Sequence, residues 1–462
     1  MLGKPLAVAI IRLRRPHGAI ILRRCDVVKQ RRAHDQCRGG VNEAAVNGSN
    51  FDRLATEILE RCDALARCSD EPGRITRVFC SPAMRDAHRL VTQWMKSTGM
   101  APRVDAAGNL IGTYLPPGCD SQRRVIIGSH LDTVADAGRY DGILGVITGI
   151  AAVESLRERG VALPWAIEVI GFSDEEGVRF GTPFIGSRAL AGTLDAGMLA
   201  LRDDDGVAMA EALELFGAKP QAAVAVRECA VEAGSVVAYL EVHIEQGPLL
   251  ELVGEPIGVV TAIAGQTRIT LQWAGEGGHA GTVPMMQRSD PLVAACRWTM
   301  AVEQLGRETK GLVATVGRIE VDPNVPNCIP RRVRASLDVR HSEDATRHEA
   351  TRQLLELAER IAAESRLTFA AECDHEHAAI AMDAGLTERW ARVIAAAGHE
   401  PQRLVSGAGH DAGVMATVAP TAMLFLRSPG GVSHHPDEAV LHGDVAAGMA
   451  ALVQFVEELA NT

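Results

Sequence analysis

The stretch Gly128-Ser-His-Leu-Asp-Thr-Val-Ala-Asp-Ala-Gly-Arg-Tyr-Asp-Gly-Ile-Leu-Gly145 decides how the rest of the sequence is interpreted. It follows the β-branched run Arg124-Val-Ile-Ile127 and precedes a helix-like segment. A strand, a polar glycine-rich loop and a helix in this order are typical of α/β sheets, which bind ligands at the carboxyl ends of their strands. The loop carries His130, Asp132 and Asp141, residue types that bind zinc, manganese and similar divalent ions. A solvated loop has the same composition, so other motifs must decide between the two interpretations.

Size, charge and cysteine usage narrow the class of protein. A chain of 462 residues with 47% hydrophobic and 23% charged residues fits a globular protein of two domains. No apolar run reaches the roughly 18 to 20 residues of a membrane span, and a net charge of −11 disfavours a nucleic-acid surface. The ten cysteines form no Cys-x-x-Cys pair, which indicates reduced thiols and a cytoplasmic protein rather than a disulfide framework.

Residues 1–45 differ in composition from everything that follows. They contain ten Lys and Arg residues against three acids, and their apolar stretch Pro5–Ile11 is short for a signal peptide. We expect a disordered basic extension, with an organelle transit peptide as the alternative.

Residues 46–260 and 376–462 predict one α/β domain. Strands and helices alternate in them, which indicates a doubly wound, mostly parallel central sheet with right-handed crossovers. The predicted helices are 50–62, 84–98, 387–397 and 445–459; the predicted strands include 166–172, 238–244 and 421–427, with a strand–turn–strand at 102–114. This domain is expected to be the catalytic one.

Residues 261–375 have a different pattern and predict an inserted second domain. Alternating strands at 267–273, 314–321 and 334–340 are interleaved with helices at 290–304 and 343–365, which favours an α+β sandwich. The insert carries Arg340, and a guanidinium matches a carboxylate in a two-pronged fork. Solvent exposure is the alternative for any single arginine.

Three further polar clusters follow predicted strands. In Asp174-Glu-Glu-Gly177 a metal would bind one glutamate and leave the other as general base, whereas a solvated acidic turn is the alternative. His243 and Gln246 lie at the end of another strand. His434 follows a third in a glycine-rich loop, with His435 beside it as the alternative ligand.

Taken together, these motifs resemble the M20 metallopeptidase-like amidohydrolases, specifically the branch of allantoate amidohydrolases and N-carbamoyl-L-amino-acid hydrolases. The resemblance covers the chain from about Val46 to its end. It depends on six ordered motifs: Gly-Ser-His-Leu-Asp-Thr-Val, Tyr-Asp-Gly-Ile-Leu-Gly, Asp-Glu-Glu-Gly-Val-Arg-Phe, His-Ile-Glu-Gln-Gly-Pro, Gly-His-Ala-Gly-Thr and Gly-Gly-Val-Ser-His-His-Pro-Asp-Glu. The basic extension has no counterpart in the family, and Arg331 stands where a glycine is more usual.

The resemblance implies a dimetal site. Two divalent ions, zinc or manganese with nickel or cobalt as alternatives, would be held by His130, Asp141, Glu176, His243 and His434, with Asp141 bridging them. Asp132 would orient His130, and Glu175 would act as general base. A histidine at position 243 separates this branch from its exopeptidase relatives, which have an acid there.

The resemblance also implies a substrate site shared between subunits. Gln246, His279, Asn327 and Arg340 would bind the substrate, with His279 stabilising the oxyanion and Arg340 holding the carboxylate. In this family the insert is a lid and dimerisation domain, and the partner's lid can supply His279 and Asn327. A homodimer is therefore expected.

The function expected from this resemblance is hydrolysis of the ureido C–N bond of a small carboxylate substrate. Allantoate is the first choice, because Asp174–Phe180 and Gly186–Gly192 look most like that sub-branch. N-carbamoyl-L-amino acids and β-ureidopropionate are the alternatives. A metallo-exopeptidase or deacylase and a non-catalytic binding protein are more distant ones.

Overall fold

The computed structural model describes residues 43–217 and 228–461, with side chains from residue 50 onward. The described residues from Asn47 onward belong to one compact unit. The prediction of a disordered extension at 1–45 therefore falls almost wholly outside the described residues. Among the described residues, no helix is both long enough and apolar enough to span a bilayer.

Twelve α-helices occur in the described part of the chain. They are α1 (Glu43–Leu65), α2 (Pro82–Ser97), α3 (Ile143–Glu158), α4 (Ile185–Leu190), α5 (Ala196–Leu199), α6 (Met209–Phe216), α7 (Leu249–Val253), α8 (Pro291–Glu308), α9 (Asp344–Glu364), α10 (Ala384–Ala396), α11 (Asp411–Met415) and α12 (His442–Ala460). Capping fixes several of their starts. The Ser81 side chain, for example, accepts a hydrogen bond from the Met84 amide, and Pro82 occupies the first turn of α2.

Sixteen strands occur in the same part of the chain. They are β1 (Ala101–Val104), β2 (Leu110–Tyr114), β3 (Asp120–His130), β4 (Trp165–Phe172), β5 (Val236–Ile244), β6 (Ile257–Ile263), β7 (Gly265–Ala274), β8 (Gly278–His279), β9 (Val313–Thr315), β10 (Ile319–Asp322), β11 (Cys328–Ile329), β12 (Arg332–His341), β13 (Thr368–His377), β14 (Ile380–Ala381), β15 (Gln402–Ser406) and β16 (Thr421–Leu426).

Nine of these strands form the main sheet, in the order β1-β2-β4-β3-β5-β16-β6-β14, with β15 paired to β6. Its centre, β4-β3-β5-β16, is parallel throughout. Helix α3 packs on this centre and is apolar on nearly every side, because its other faces are covered by α12 and the rest of the core. The predicted doubly wound, mostly parallel α/β sheet is confirmed.

A second, five-stranded antiparallel sheet is built from the inserted segment, in the order β10-β12-β7-β13, with β9 also on β12. Its apolar face, which includes Trp273 and Leu337, packs against α8 and α9. The opposite face is polar and carries Gln266, Arg268 and Arg340. The expected α+β insert is confirmed, whereas its boundaries at 261 and 375 stay predictions.

One predicted strand of the insert needs correction. The single strand expected over 314–321 is two strands, β9 and β10, both paired with β12. Thr315 pairs with Asp338, and Ile319 pairs with Ala335. Between these two pairs the β9–β10 segment advances by four residues, whereas β12 advances by three. The extra residue is accommodated as a bulge, where the Arg318 amide bonds the Ser336 hydroxyl.

Candidate active site

Four adjacent parallel strands end at one edge of the main sheet, and each delivers a predicted site residue there. His130 is the last residue of β3, Glu176 follows β4, His243 lies near the end of β5, and His434 follows β16. Carboxyl ends of neighbouring parallel strands meet at one edge of a sheet. The four side chains, widely separated in sequence, are therefore brought together by the strand order.

Asp141 lies at the centre of this group. Its Oδ1 is 3.1 Å from His243 Nε2 and 3.8 Å from His130 Nε2. Its Oδ2 is 3.1 Å from His434 Nε2, which in turn is 3.5 Å from Glu176 Oε1. Two three-residue groups thus share Asp141, and in each the donor atoms lie within 4.8 Å of one another.

The structure distinguishes between the two adjacent histidines of the last motif. His434 adopts a positive φ of 54°, which directs its imidazole toward Asp141. His435 instead accepts a hydrogen bond from the Asp437 amide and is more than half exposed. His434 is therefore the histidine placed at the cluster.

Asp141 is held from several sides. Gln246 Nε2 donates to both carboxylate oxygens, at 3.2 and 3.1 Å, and Ser433 Oγ donates to Oδ2 at 3.1 Å. Glu438 Oε1 accepts the backbone amides of Tyr140 and Asp141. These contacts fix both the backbone and the carboxylate of the residue that the two groups share.

The next residue, Gly142, tolerates no side chain. It has a φ of 70°, and a Cβ placed on it would lie 2.3 Å from the imidazole of His130. Glycine is thus required both for the left-handed backbone and for the close approach of His130.

Asp132 supports the cluster in a way that the sequence did not predict. Its carboxylate accepts the amides of Glu175 and Glu176, both at 3.0 Å. His130 Nδ1 is bonded instead to the backbone carbonyl of Asp132, at 3.0 Å, and lies 3.7 Å from the carboxylate. The expected carboxylate–histidine support is therefore corrected: the carbonyl orients His130, and the carboxylate anchors the turn that bears the two glutamates.

The carboxylates of the cluster lie close together, and this crowding shifts the pKa values of the acids and histidines there. Burial, reinforced by Glu176 and Asp411, raises the pKa of Glu175 well above its usual range. Burial and the neighbouring Asp141 raise the pKa of Glu176 to about 8. Burial would lower the pKa of His243, but Asp141 outweighs it and raises that pKa to about 9. Carboxylates in such mutual repulsion are stabilised by a cation placed among them.

The residues that surround the cluster enclose a cavity of about 170 Å³. Its lining, among the described residues, comprises His130, Asp141, Glu175, Glu176, Pro183, Phe184, His243, Gln246, Ala408, Gly409, His410 and His434. Glu175 is buried at this wall, so its carboxylate lies next to the shared ligand groups.

The predicted substrate residues of the insert lie in two places. His279 lies on β8, and the exposed Asn327 directly precedes the partner strand β11, where the Ala280 amide donates to the Asn327 carbonyl. Neither belongs to the described lining of the cavity. Arg340 donates from Nη1 to the carbonyl of Gly407, the residue before the lining residue Ala408.

Comparison with known proteins assigns the family. The profile of "Peptidase family M20/M25/M40" matches residues 126–458, which is most of the chain. The chain belongs to peptidase family M20/M25/M40. This confirms the family resemblance that the six motifs predicted.

Similar proteins show which members of peptidase family M20/M25/M40 this chain resembles. The chain is 40% identical to "Probable allantoate deiminase" of Oryza sativa subsp. japonica, over 90% of this chain and 91% of the relative. It is 38% identical to "N-carbamoyl-L-amino acid amidohydrolase" of Geobacillus stearothermophilus, over 89% and 98%. A solved amidase of the hydantoinase/carbamoylase family from Burkholderia multivorans has 32% identity and a TM-score of 0.83, covering 89% and 98%. These relatives are hydrolases of carbon–nitrogen bonds other than peptide bonds.

The donor set of the M20/M25/M40 protein fits divalent cations. His243 Nε2 is buried and, among the described residues, has no hydrogen-bond partner, although Asp141 Oδ1 is only 3.1 Å away. Gln246 Oε1 is likewise buried without a partner in that part of the chain. A buried imidazole nitrogen that faces a carboxylate oxygen without a formed hydrogen bond is an arrangement that a metal ion between the two satisfies.

Sequence reasoning missed a buried polar layer beneath the site of this family member. His410 packs on His243 with ring centroids 4.5 Å apart, and its Nε2 is 2.7 Å from Ser406 Oγ. Glu241, fully buried, accepts from Tyr239, Ser129 and the Ala412 amide. The signal was present in Ser406-Gly-Ala-Gly-His-Asp-Ala-Gly413, a glycine-rich loop after a strand like the other site motifs.

Proposed function

We propose that this chain hydrolyses the ureido C–N bond of a small carboxylate-bearing substrate, with allantoate as the first candidate. The observation that carries the proposal is the pair of ligand groups sharing Asp141, with the Glu175 carboxylate alongside. A relative named "Probable allantoate deiminase" is 40% identical over most of both chains.

His130 and His243 would hold one divalent ion and Glu176 and His434 a second, with Asp141 between them. Zinc and manganese are the first choices, with nickel and cobalt as alternatives, because imidazole and carboxylate donors suit all four. Ions bound there would polarise the carbamoyl oxygen and lower the pKa of a water molecule.

Glu175 acts as the general base and acid. Its carboxylate takes a proton from the attacking water as the oxygen joins the carbamoyl carbon, and passes it to the leaving nitrogen as the C–N bond breaks. The products are an amine and a carbamate, which decays to ammonia and carbon dioxide. Asp132 contributes by accepting a hydrogen bond from the backbone amide of Glu175, which fixes the backbone from which the Glu175 side chain extends.

Substrate recognition is assigned to four residues in two groups. Two residues bind the substrate within one subunit. Gln246 donates a hydrogen bond to Asp141, and Arg340 donates one to the Gly407 carbonyl in the loop beside the cavity. The pair formed by His279 and Asn327 lies apart from the cavity lining, which supports their donation to the site of a second subunit in a homodimer. His279 would there stabilise the oxyanion of the tetrahedral intermediate.

The second candidate substrates are the N-carbamoyl-L-amino acids, with β-ureidopropionate as a further alternative. The 38% identity to an N-carbamoyl-L-amino acid amidohydrolase favours this alternative. Both classes present a ureido group and a carboxylate, so the catalytic residues serve either equally.

Ammonia release by the manganese- or zinc-loaded protein, offered both substrate classes side by side, tests the proposal. Release from allantoate alone identifies an allantoate amidohydrolase, and release from carbamoyl amino acids alone identifies the second candidate. Release from neither, by a protein with bound metal, would refute the ureido assignment. Peptide and acyl-amino-acid substrates run in parallel test the exopeptidase and deacylase alternatives.

A further inference from the structure

Arg340 occupies a junction between the two sheets. It lies one residue before the end of β12 and pairs across the insert sheet with Gln266, which pairs in turn with His377 at the end of β13. Its guanidinium leaves the insert sheet and donates from Nη1 to the Gly407 carbonyl, in the loop after β15 of the main sheet. Of the three substrate residues expected on the insert, Arg340 is the one that bonds the loop leading into the cavity lining, since Ala408 follows Gly407 directly.

Asp338, two residues earlier and on the same face of β12, holds this guanidinium along one edge. Arg340 Nε donates to Oδ1 at 2.9 Å, and Arg340 Nη2 donates to Oδ2 at 3.0 Å. The same Oδ2 accepts Gln266 Nε2 at 2.8 Å and Arg268 Nε at 2.9 Å. Two parallel N–H···O bonds to one carboxylate fix the plane of a guanidinium, which a single bond cannot do.

The hydrogen bonds of Arg340 leave part of its donor set for a ligand. Within residues 43–217 and 228–461, Asp338 and Gly407 take three of its five N–H groups, so one remains on each terminal nitrogen. The charge also favours an anion, because two guanidinium groups, of Arg268 and Arg340, face the single carboxylate of Asp338. Burial would raise the pKa of Asp338, but Arg340 and Arg268 lower it, so this carboxylate stays ionised.

We propose that Asp338 is a positioning residue for substrate recognition: it orients the Arg340 guanidinium at Gly407 so that its two remaining terminal N–H groups bind the substrate carboxylate. The inference rests on the proposed function, in which Arg340 receives that carboxylate. Asp338 itself acts through Arg340 and not on the reacting atoms. Its loss should therefore weaken binding of carboxylate substrates while leaving the chemical step nearly unchanged.

The test compares Asp338→Asn with the wild type on two substrates: the ureido carboxylate that the wild type hydrolyses best, and its carboxamide analogue. Removing a charge-assisted pair is expected to raise KM for the carboxylate about 10- to 100-fold, with kcat changed less than about threefold. KM for the carboxamide should not change, because Arg340 has no anion to bind there. Equal effects on both substrates, or none on the carboxylate, would overturn the inference.

Two further variants separate positioning from general stabilisation. Arg340→Gln combined with Asp338→Asn should be no worse than Arg340→Gln alone, because both changes disable the same guanidinium; additive losses would refute the coupling. The matched control is Glu349→Gln, which removes another acid–arginine pair, with Arg352, from an exposed part of the insert. It should leave both kinetic constants at wild-type values.

A structural readout keeps the inference independent of turnover. If the wild type hydrolyses no ureido substrate, the proposed function fails on that observation alone. Crystal structures of the wild type and Asp338→Asn then decide the orientation question. An Arg340 guanidinium still bonded to the Gly407 carbonyl in the variant would contradict the role of Asp338, and a displaced one would support it.

Discussion

Replacing Glu175 with Gln is the sharpest test of the proposed chemistry. The substitution keeps the size of a buried side chain and removes its ability to accept a proton. The bond between the Glu175 amide and Asp132 uses the backbone, so the turn keeps its anchor. General-base catalysis is worth about 100- to 10,000-fold in rate, or about 3 to 5 kcal/mol of barrier. We expect kcat to fall by that factor.

The structure also predicts what Glu175→Gln leaves intact. All the residues assigned to metal binding remain, so metal content measured by mass spectrometry should equal that of the wild type. In the metal-free protein, stability should be equal or higher, because burial and Glu176 disfavour the charged form of Glu175 there. Glu211→Gln, an exposed acid in the first turn of α6, is the matched control and should have wild-type kinetics. A fully metal-loaded Glu175→Gln enzyme with near-normal kcat would refute the general-base assignment.

Three further predictions concern Asp132, the removal of metal and the dependence of stability on pH. Asp132→Asn should lower kcat/KM about 10- to 100-fold, since Asn has one acceptor oxygen and can keep only one of the two hydrogen bonds from the backbone amides of Glu175 and Glu176; unchanged steady-state kinetics would contradict that anchoring role. Chelation should lower Tm in a thermal melt and zinc or manganese should restore it, as binding at 100 times Kd contributes about 2.7 kcal/mol; a melt indifferent to metal would count against the site. His88 packs on Phe216, and burial lowers the pKa of its imidazole to about 4. The neutral imidazole therefore gives about 3 kcal/mol of folding stability above pH 6.5, and this stability is lost as the pH falls toward 4. His88→Phe should lose that part of the pH dependence in urea titrations at pH 7 and pH 4.5; parallel curves for both proteins would disprove it.

Strand ends were the part of the site that the sequence predicted well. His130, Glu176, His243 and His434 each follow or end an apolar run, and parallel strands bring such positions together whatever their separation in sequence. The choice between His434 and His435 was beyond sequence reasoning, because it depends on a left-handed backbone at one loop residue. Asp132 orients His130 as predicted, but through its carbonyl, and the second role of its carboxylate was beyond the motif, which does not reveal which backbone amides lie within its reach.

The insert shows the limits of periodicity. Strand β13 has no alternating apolar face, and most of its residues are exposed, so hydrophobic alternation does not predict it. The contact of Arg340 with Asp338 was equally hidden, although their spacing of two residues on one strand was visible. Alternation predicts which side chains share a face, but the rotamers that join them depend on neighbouring strands far along the chain.

The place of β16 in the main sheet has a consequence for the order of assembly during synthesis. This strand lies between β5 and β6, yet it is made more than 150 residues after them. Until β16 has been synthesised, the backbone amides and carbonyls on the facing edges of β5 and β6 therefore lack the strand that pairs with both. His130, Asp141 and His243 are available long before that moment, whereas His434 emerges only with the closing segment. Insertion of β16 thus completes the sheet and the second ligand group in one step, and a ribosome-stalled chain that ends before residue 421 should lack both.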